Sequence, residues 1–139
     1  FRIMETSALL RQGYTSNGLS IDGGGTHSLP RLVGTARALE IAALDRPISA
    51  EKAIEWGLVT EVVPDGKSVE RAMALMAELK ARPLSSFAAS KRLINDSFET
   101  SFEAQLEKER EMLSWCGRHP NGREGIDAFN EKRKPAYNR

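Results

Sequence analysis

The 139-residue chain is short of several residue types, and each shortage argues against a class of protein. Its single cysteine, Cys116, has no partner in the chain for a disulfide, which favours a reducing compartment and predicts a cytoplasmic location. One cysteine and two histidines cannot build a Cys/His zinc site, so we expect no metal. Lys and Arg number 20 against 19 Asp and Glu. Because the charges stay mixed along the chain, we expect no nucleic-acid partner.

Long apolar runs are also missing. The stretch from Leu39 to Leu44 is interrupted by Glu40, whereas a transmembrane helix needs about 20 apolar residues. We therefore expect no membrane span, and no signal-peptide pattern is visible. Residue 1 is Phe rather than Met, so the chain is expected to be a processed product or part of a longer protein.

Hydrophobic periodicity predicts short extended segments in residues 1–22 and mostly helices after them. A strand is predicted for 58–63, closed by Pro64. In the front half, we predict a short helical turn at 29–33, a helix capped by Thr35 that runs to Leu44, and a helix capped by Ser49 that stops at Gly57. Further along, we predict a helix from Ser68 that is broken by Pro83 and another from Ser85 or Ser86. A helix after a capping box at 100–103, a turn at 119–122 and a last helix at 123–132 complete the prediction.

The glycine run that follows Asp22 is the chemical candidate that composition alone offers. A glycine-rich turn before a helix directs backbone N–H groups towards an anion. The run Gly23–Gly25 lacks both the following Gly-Lys-Ser/Thr of a phosphate-binding loop and the spaced glycines of a dinucleotide site. From spacing alone, a tight turn with a local hydrogen bond from Asp22 is the simpler interpretation.

Several sequence blocks follow one another in an order and spacing that are specific when taken together. They are GLSIDGGGT at 18–26, LPRLVG at 29–34, RPISAEKA at 46–53, WGLV at 56–59, REGIDAF at 123–129 and EKRKP at 131–135. In these blocks, over about residues 8 to 137, the chain resembles the rear half of the crotonase family of enoyl-CoA hydratases and isomerases.

The resemblance implies an α/β, crotonase-like fold. Family members have a spiral core of repeated β-β-α units followed by a helical C-terminal region used for trimerisation. Residues 1–66 would then be the C-terminal part of that core and residues 67–139 the helical region, in a chain that is mostly α-helical. The coenzyme A binding segment and both N–H groups of the family's oxyanion hole would lie upstream, so the isolated chain is expected to be inactive.

The resemblance also implies chemistry on a coenzyme A thioester, with no separate cofactor. Of the two glutamates that family hydratases use, one aligns with Tyr14, whose ordinary pKa near 10 makes it a poor base. Asp22 matches the acidic residue that isomerases of one branch carry just ahead of a glycine pair. We therefore expect Asp22 to be the catalytic residue, removing a proton from C2 of a 3-enoyl thioester and returning it at C4.

Six further residues are expected, from the same resemblance, to bind substrate: Tyr14, Ile21, Gly23, Gly24, Phe129 and Lys132. Phe129 and Lys132 match family positions that approach coenzyme A, often from a neighbouring subunit. The alternative for these two is a core phenylalanine and a solvated lysine on an amphipathic helix.

Two other functions stay open at this stage. One is hydration of a 2-enoyl-CoA, with Tyr14 orienting the substrate. The other is a non-catalytic oligomerisation module, because the helices from Ser68 to Lys132 have apolar faces to bury. The expected partners are an acyl-CoA substrate and further copies of the protein, in a trimer or a dimer of trimers.

Overall fold

The computed structural model describes residues 1–138 and divides into two compact units. The first, Phe1–Met73, contains the strands, and the second begins at Ala74 and is helical. The strands are β1 Ile3–Glu5, β2 Leu9–Leu10, β3 Ile48–Ser49 and β4 Glu61–Val63. The helices are α1 Gly25–Val33, α2 Thr35–Leu44, α3 Ala50–Glu55, α4 Ser68–Lys80, α5 Leu84–Asp96, α6 Phe102–Arg118 and α7 Pro120–Asn130. Two 3-10 helices, Thr15–Asn17 and Ser97–Glu99, complete the set.

The strands of the first unit form two small pairs. Strand β1 runs parallel to β4, and β2 runs antiparallel to β3. The extended segments predicted in residues 1–22 are confirmed at β1 and β2, but residues 15–17 form a 3-10 helix instead. The strand predicted at 58–63 is shorter and begins at Glu61. Leu58 and Val59, the first two residues of the predicted strand, lie outside β4. Their N–H groups both donate hydrogen bonds to the Ala53 carbonyl and complete the end of α3.

A cluster of apolar side chains forms the core of the first unit. It consists of Met4, Leu29, Ala38, Ile41, Ile48, Ala50, Ala53, Leu58 and Val59. Burial of this apolar surface is the main force that holds the short elements together, since two-residue strands contribute little by themselves.

Two of the predicted helix starts in the first unit need correction. Helix α2 spans the predicted residues, but its N-cap is Gly34 and not Thr35. Gly34 has φ of 77°, a left-handed conformation that glycine adopts without steric cost. Helix α1 begins at Gly25, four residues before the predicted turn. The cap at Ser49 is confirmed, because its hydroxyl accepts a hydrogen bond from the Lys52 N–H at 3.3 Å.

The helix starts of the second unit are shifted by one to three residues from their predicted positions. Helix α5 begins at Leu84, with Pro83 as its N-cap, rather than at Ser85 or Ser86. Helix α6 is capped by Ser101, whose hydroxyl accepts from the Ala104 N–H at 3.3 Å. The predicted capping box is therefore out of register, and the Thr100 hydroxyl instead donates to the Asp96 carbonyl.

The segment predicted as a turn before the last helix is the beginning of that helix. Helix α7 starts at Pro120, a favourable first position for proline because its missing N–H would have no partner there. The cap is His119, whose Nδ1 accepts from the Asn121 N–H at 3.1 Å. The His119 ring also contacts Trp115, with ring centroids 5.3 Å apart.

Many large apolar side chains of the second unit are exposed. Leu113 and Phe102 expose 75% and 72% of their surface, whereas the buried apolar residues of this unit are Ala89 and Ala128. Met73 and Met76, which lie on one apolar stripe of α4, are exposed as well. Within residues 1–138, no helix has both the length and the apolar character that a membrane crossing requires.

Candidate active site

The predicted catalytic residue contacts the predicted substrate-binding tyrosine. The Tyr14 hydroxyl donates a hydrogen bond to Asp22 Oδ1 at 2.6 Å. This hydrogen bond, together with the negative charge of the carboxylate, raises the pKa of Tyr14 above its ordinary value of 10.0. At neutral pH the phenol therefore stays protonated and acts as a donor, which agrees with the expectation that Tyr14 is not a base.

Backbone hydrogen bonds, and not an Asx turn, close the bend at the glycine run. The Gly25 N–H donates to the Asp22 carbonyl at 3.0 Å, while the Asp22 carboxylate accepts from Tyr14. Gly23 and Gly24 have φ of 59° and 81°, in the left-handed region that side chains disfavour. The glycines therefore allow a sharp reversal that leaves the Asp22 side chain free to reach across to Tyr14.

Gly25 is needed for a different reason, the close approach of its neighbour. A Cβ at this position would lie 2.6 Å from Ile21 Cγ2. Ile21 is half-buried, whereas Asp22, Gly23 and Gly24 are exposed in the described chain. The predicted acyl-binding residues thus form one continuous segment at the beginning of α1, with Tyr14 against it.

A buried carboxylate that the sequence analysis missed anchors the backbone around Tyr14. Asp45, only 3% exposed, accepts hydrogen bonds from the Gly13 N–H at 2.7 Å and the Ser16 N–H at 3.1 Å. The Ser16 hydroxyl adds a third bond at 2.5 Å, and Arg11 Nε donates to the Asp45 carbonyl at 2.9 Å. The hydrogen bonds from Ser16 and Gly13 lower the pKa of Asp45 below its ordinary value. Asp45 therefore stays ionised and fixes the loop on both sides of Tyr14.

Asp45 could have been suspected from its position in the sequence. It follows the last residue of α2 and has φ of 46°, a conformation that Asp tolerates better than most residues do. An aspartate directly after a helix and before Arg-Pro is a capping pattern. The pattern gives no indication that the side chain reaches a loop 29 to 32 residues upstream.

The other two predicted substrate-binding residues belong to the second unit. Phe129 on α7 is 83% exposed and lines an open cavity of 340 Å³ that Tyr137 and Ile126 also line. Lys132 follows α7 with φ of 55° and is exposed. Phe129 is therefore not a core residue in the described chain, whereas the exposure of Lys132 agrees with the alternative of a solvated lysine. Among residues 1–138, no three His, Cys, Asp or Glu side chains gather as metal ligands would.

Comparison with known proteins identifies the family. All 139 residues match the family model described as enoyl-CoA hydratase/isomerase. The chain is 36% identical over 135 residues to 1,2-epoxyphenylacetyl-CoA isomerase from Escherichia coli K12, covering 97% of this chain and 52% of that protein. It is 38% identical over 135 residues to a probable enoyl-CoA hydratase from Rhodobacter capsulatus, with the same coverage.

Solved structures agree with the sequence comparison. An enoyl-CoA hydratase from Polaromonas sp. JS666 superposes with a TM-score of 0.91 at 35% identity, covering 98% of this chain and 53% of the other. The chain belongs to the enoyl-CoA hydratase/isomerase family of enzymes, and its fold is crotonase-like and mostly helical. The resemblance seen in the sequence is confirmed. The chain spans about half the length of the curated relatives it matches.

Proposed function

We propose that the full-length protein acts on acyl-CoA thioesters and moves the double bond of a 3-enoyl-CoA to the 2-position. The contact between Asp22 and the Tyr14 hydroxyl carries this proposal, because it presents an oriented carboxylate where the family's isomerases carry an acid. A relative from Streptococcus mutans that is named trans-2-decenoyl-[acyl-carrier-protein] isomerase, at 29% identity, supports it further.

The reaction needs one group that is first a base and then an acid. The Asp22 carboxylate removes a proton from C2, and the electron pair of the C2–H bond forms a C1=C2 bond while the thioester C=O pair moves onto oxygen. When the C=O bond re-forms, the C1=C2 pair becomes the C2=C3 bond, and the former C3=C4 pair takes the same proton at C4, which returns Asp22 to its ionised form. The thioester oxygen carries negative charge in between, and backbone N–H donors outside this chain would stabilise it.

The remaining site residues of this proposal bind the substrate and its carrier. Ile21, Gly23 and Gly24 line the path of the acyl chain beside Asp22, where the absence of Cβ atoms allows close approach. Phe129 stacks near the adenine of coenzyme A, and Lys132 places a positive charge near a phosphate. Coenzyme A enters as part of the substrate, and no further cofactor is required.

The domain organisation of the proposal is the one that the resemblance to the crotonase family implies. Residues 1–66 form the end of the spiral core and residues 67–139 the helical region, while the oxyanion-hole half is supplied by other residues of the full-length protein. The exposed apolar side chains of the second unit support a homo-oligomer, a trimer or a dimer of trimers. The cytoplasmic location in this proposal rests on the single cysteine, which favours a reducing compartment. If the chain is only an oligomerisation module, it will self-associate in sedimentation and show no thermal shift with acetyl-CoA.

Hydration of a 2-enoyl-CoA is the second candidate, favoured by the relative that is named a probable hydratase. Hydration uses two carboxylates in the family, and Tyr14 stands where one of them would be.

Full-length protein given a 3-enoyl-CoA and, separately, a 2-enoyl-CoA distinguishes the two functions. Isomerisation predicts fast formation of 2-enoyl-CoA from the first substrate. Fast formation of 3-hydroxyacyl-CoA from the second, with no double-bond migration, would contradict it.

A further inference from the structure

The Tyr14 hydroxyl has one proton to donate, and that proton is directed at Asp22 Oδ1. A tyrosine that contacts substrate through its hydroxyl needs this donor, or a free lone pair, on the substrate side. Here the short bond of 2.6 Å to a charged acceptor engages the donor already. The raised pKa of Tyr14 keeps this donor in place at neutral pH.

The backbone that carries Tyr14 is held from both sides. Asp45 binds the N–H groups of Gly13 and Ser16, the residues that flank the position of the tyrosine along the loop. On the other side of the pair, the bond from Gly25 to the Asp22 carbonyl fixes the turn. Both partners of the hydrogen bond therefore start from fixed backbone, which makes it an orienting contact and not a chance surface contact.

We propose that Tyr14 is a positioning residue for Asp22, and that Oδ2 of Asp22 is the oxygen that takes and returns the proton. The inference rests on the proposed isomerase function. Tyr14 occupies Oδ1 and restricts rotation of the carboxylate, so that the remaining oxygen faces C2 and then C4. Asp45 acts further back, by holding the loop that places Tyr14.

A double-mutant cycle on the full-length protein tests this assignment. Tyr14→Phe removes one oxygen and keeps the ring, so the Tm should change little. We expect kcat on a 3-enoyl-CoA to fall about 10- to 100-fold, because a misplaced catalytic group costs rate. KM should change less than about threefold. In the Asp22→Asn background, Tyr14→Phe should cause no further loss, since residues that act through one another are not additive.

A spectroscopic measurement tests the contact without using activity. Tyrosines carrying ring ¹³C are followed by NMR through their ionisation, and the Tyr14 signal is assigned by its loss in Tyr14→Phe. In Asp22→Asn the Tyr14 phenolate should form at lower pH than in the unmodified protein, because the negative acceptor is gone. Tyr137 serves as the internal control and should not shift.

The outcomes separate the inference from the function on which it rests. Full activity of Asp22→Asn would reject the isomerase mechanism itself. Two results would reject only the positioning role, provided that Asp22→Asn loses activity. In one, Tyr14→Phe raises KM at constant kcat. In the other, the loss of kcat caused by Tyr14→Phe is the same with and without Asp22→Asn. Either result would make Tyr14 a substrate contact instead. A Tyr14 ionisation that is unchanged in Asp22→Asn would reject the role as well.

Discussion

The Asp45 carboxylate accepts a hydrogen bond from the Ser16 hydroxyl at 2.5 Å, and the two residues are 29 positions apart in the sequence. This contact joins the end of α2 to the loop that carries Tyr14. The Asp45 side chain is almost completely buried. If its carboxylate were removed, bulk water could not take over as the hydrogen-bond acceptor. The fold of the first unit and the geometry of the candidate site thus share one anchor.

Replacing Asp45 by Ala should destabilise the protein, because the N–H groups of Gly13 and Ser16 lose their acceptor. We expect the Tm to fall by about 5 °C or more, as is usual when a small domain loses a hydrogen-bonded anchor. Thermal unfolding followed by circular dichroism measures this. Glu40→Ala on the exposed face of α2 is the matched control and should leave the Tm nearly unchanged. Equal effects of the two variants would contradict the anchoring role.

The stability of the protein should fall in acid partly through Asp45. The pKa of Asp45 is lower in the folded chain than in the unfolded one, where it is near 3.9. Its contribution to stability is therefore complete above the unfolded value and is lost as pH falls through the folded value. Unfolding midpoints between pH 6 and pH 2.5 should depend less steeply on pH in Asp45→Asn.

Glu5 provides the comparison for this pH dependence. The Ser68 hydroxyl and the backbone N–H groups near it lower the pKa of Glu5, so Glu5→Gln should remove its own share in the same pH window. The double variant should be flatter than either single variant. An Asp45→Asn variant with the full pH dependence of the unmodified protein would exclude Asp45 as a contributor.

Two glycines of the second unit should respond in opposite directions to the same substitution. A Cβ on Gly122 would overlap with the Cys116 carbonyl, which is backbone and cannot move aside. Gly122→Ala should therefore cost about 1–3 kcal/mol of stability. A Cβ on Gly117, inside α6, meets nothing within 4 Å. Gly117→Ala should add about 0.5–1 kcal/mol, since alanine loses less backbone entropy in a helix. Urea unfolding measures both, and a stabilised Gly122→Ala would contradict this packing.

The cap of α6 is a further check on the second unit. Ser101→Ala should cost about 1 kcal/mol of stability, because the Ala104 N–H loses its side-chain acceptor. Ser101→Asp keeps an acceptor at that position and should restore most of the loss. The same urea titration applies. If Thr100→Ala cost more than Ser101→Ala, the capping box predicted from the sequence would be in its original register after all.

Helix positions could be predicted from the sequence because apolar periodicity and helix-breaking residues act locally. The helices around Leu39 and from Ser68 to Pro83 lie where the periodicity places them. Exact starts failed where several capping residues adjoin. Gly34 is the N-cap one residue before the predicted Thr35, and Ser101 is the N-cap one residue after the predicted Thr100.

The candidate site was predictable only in part, and for a physical reason. Asp22 and its glycines form a local motif, so sequence comparison within a family finds them. The hydrogen bond from Tyr14 spans eight residues, and the contacts of Asp45 span 29 to 34. No local pattern encodes such distances, because they depend on how α2 packs beside the loop. Whether the Phe129 side chain is exposed or buried also depends on its surroundings, which the sequence of α7 does not specify.

The measurement that tests the central claim most directly is the rate of double-bond migration by full-length Asp22→Asn on a 3-enoyl-CoA. The change removes the base and keeps the size of the side chain, so we predict a loss of roughly 10²- to 10⁴-fold in kcat with an unchanged Tm. Turnover at the rate of the unmodified protein would show that another group moves the proton, and would contradict the role assigned to Asp22.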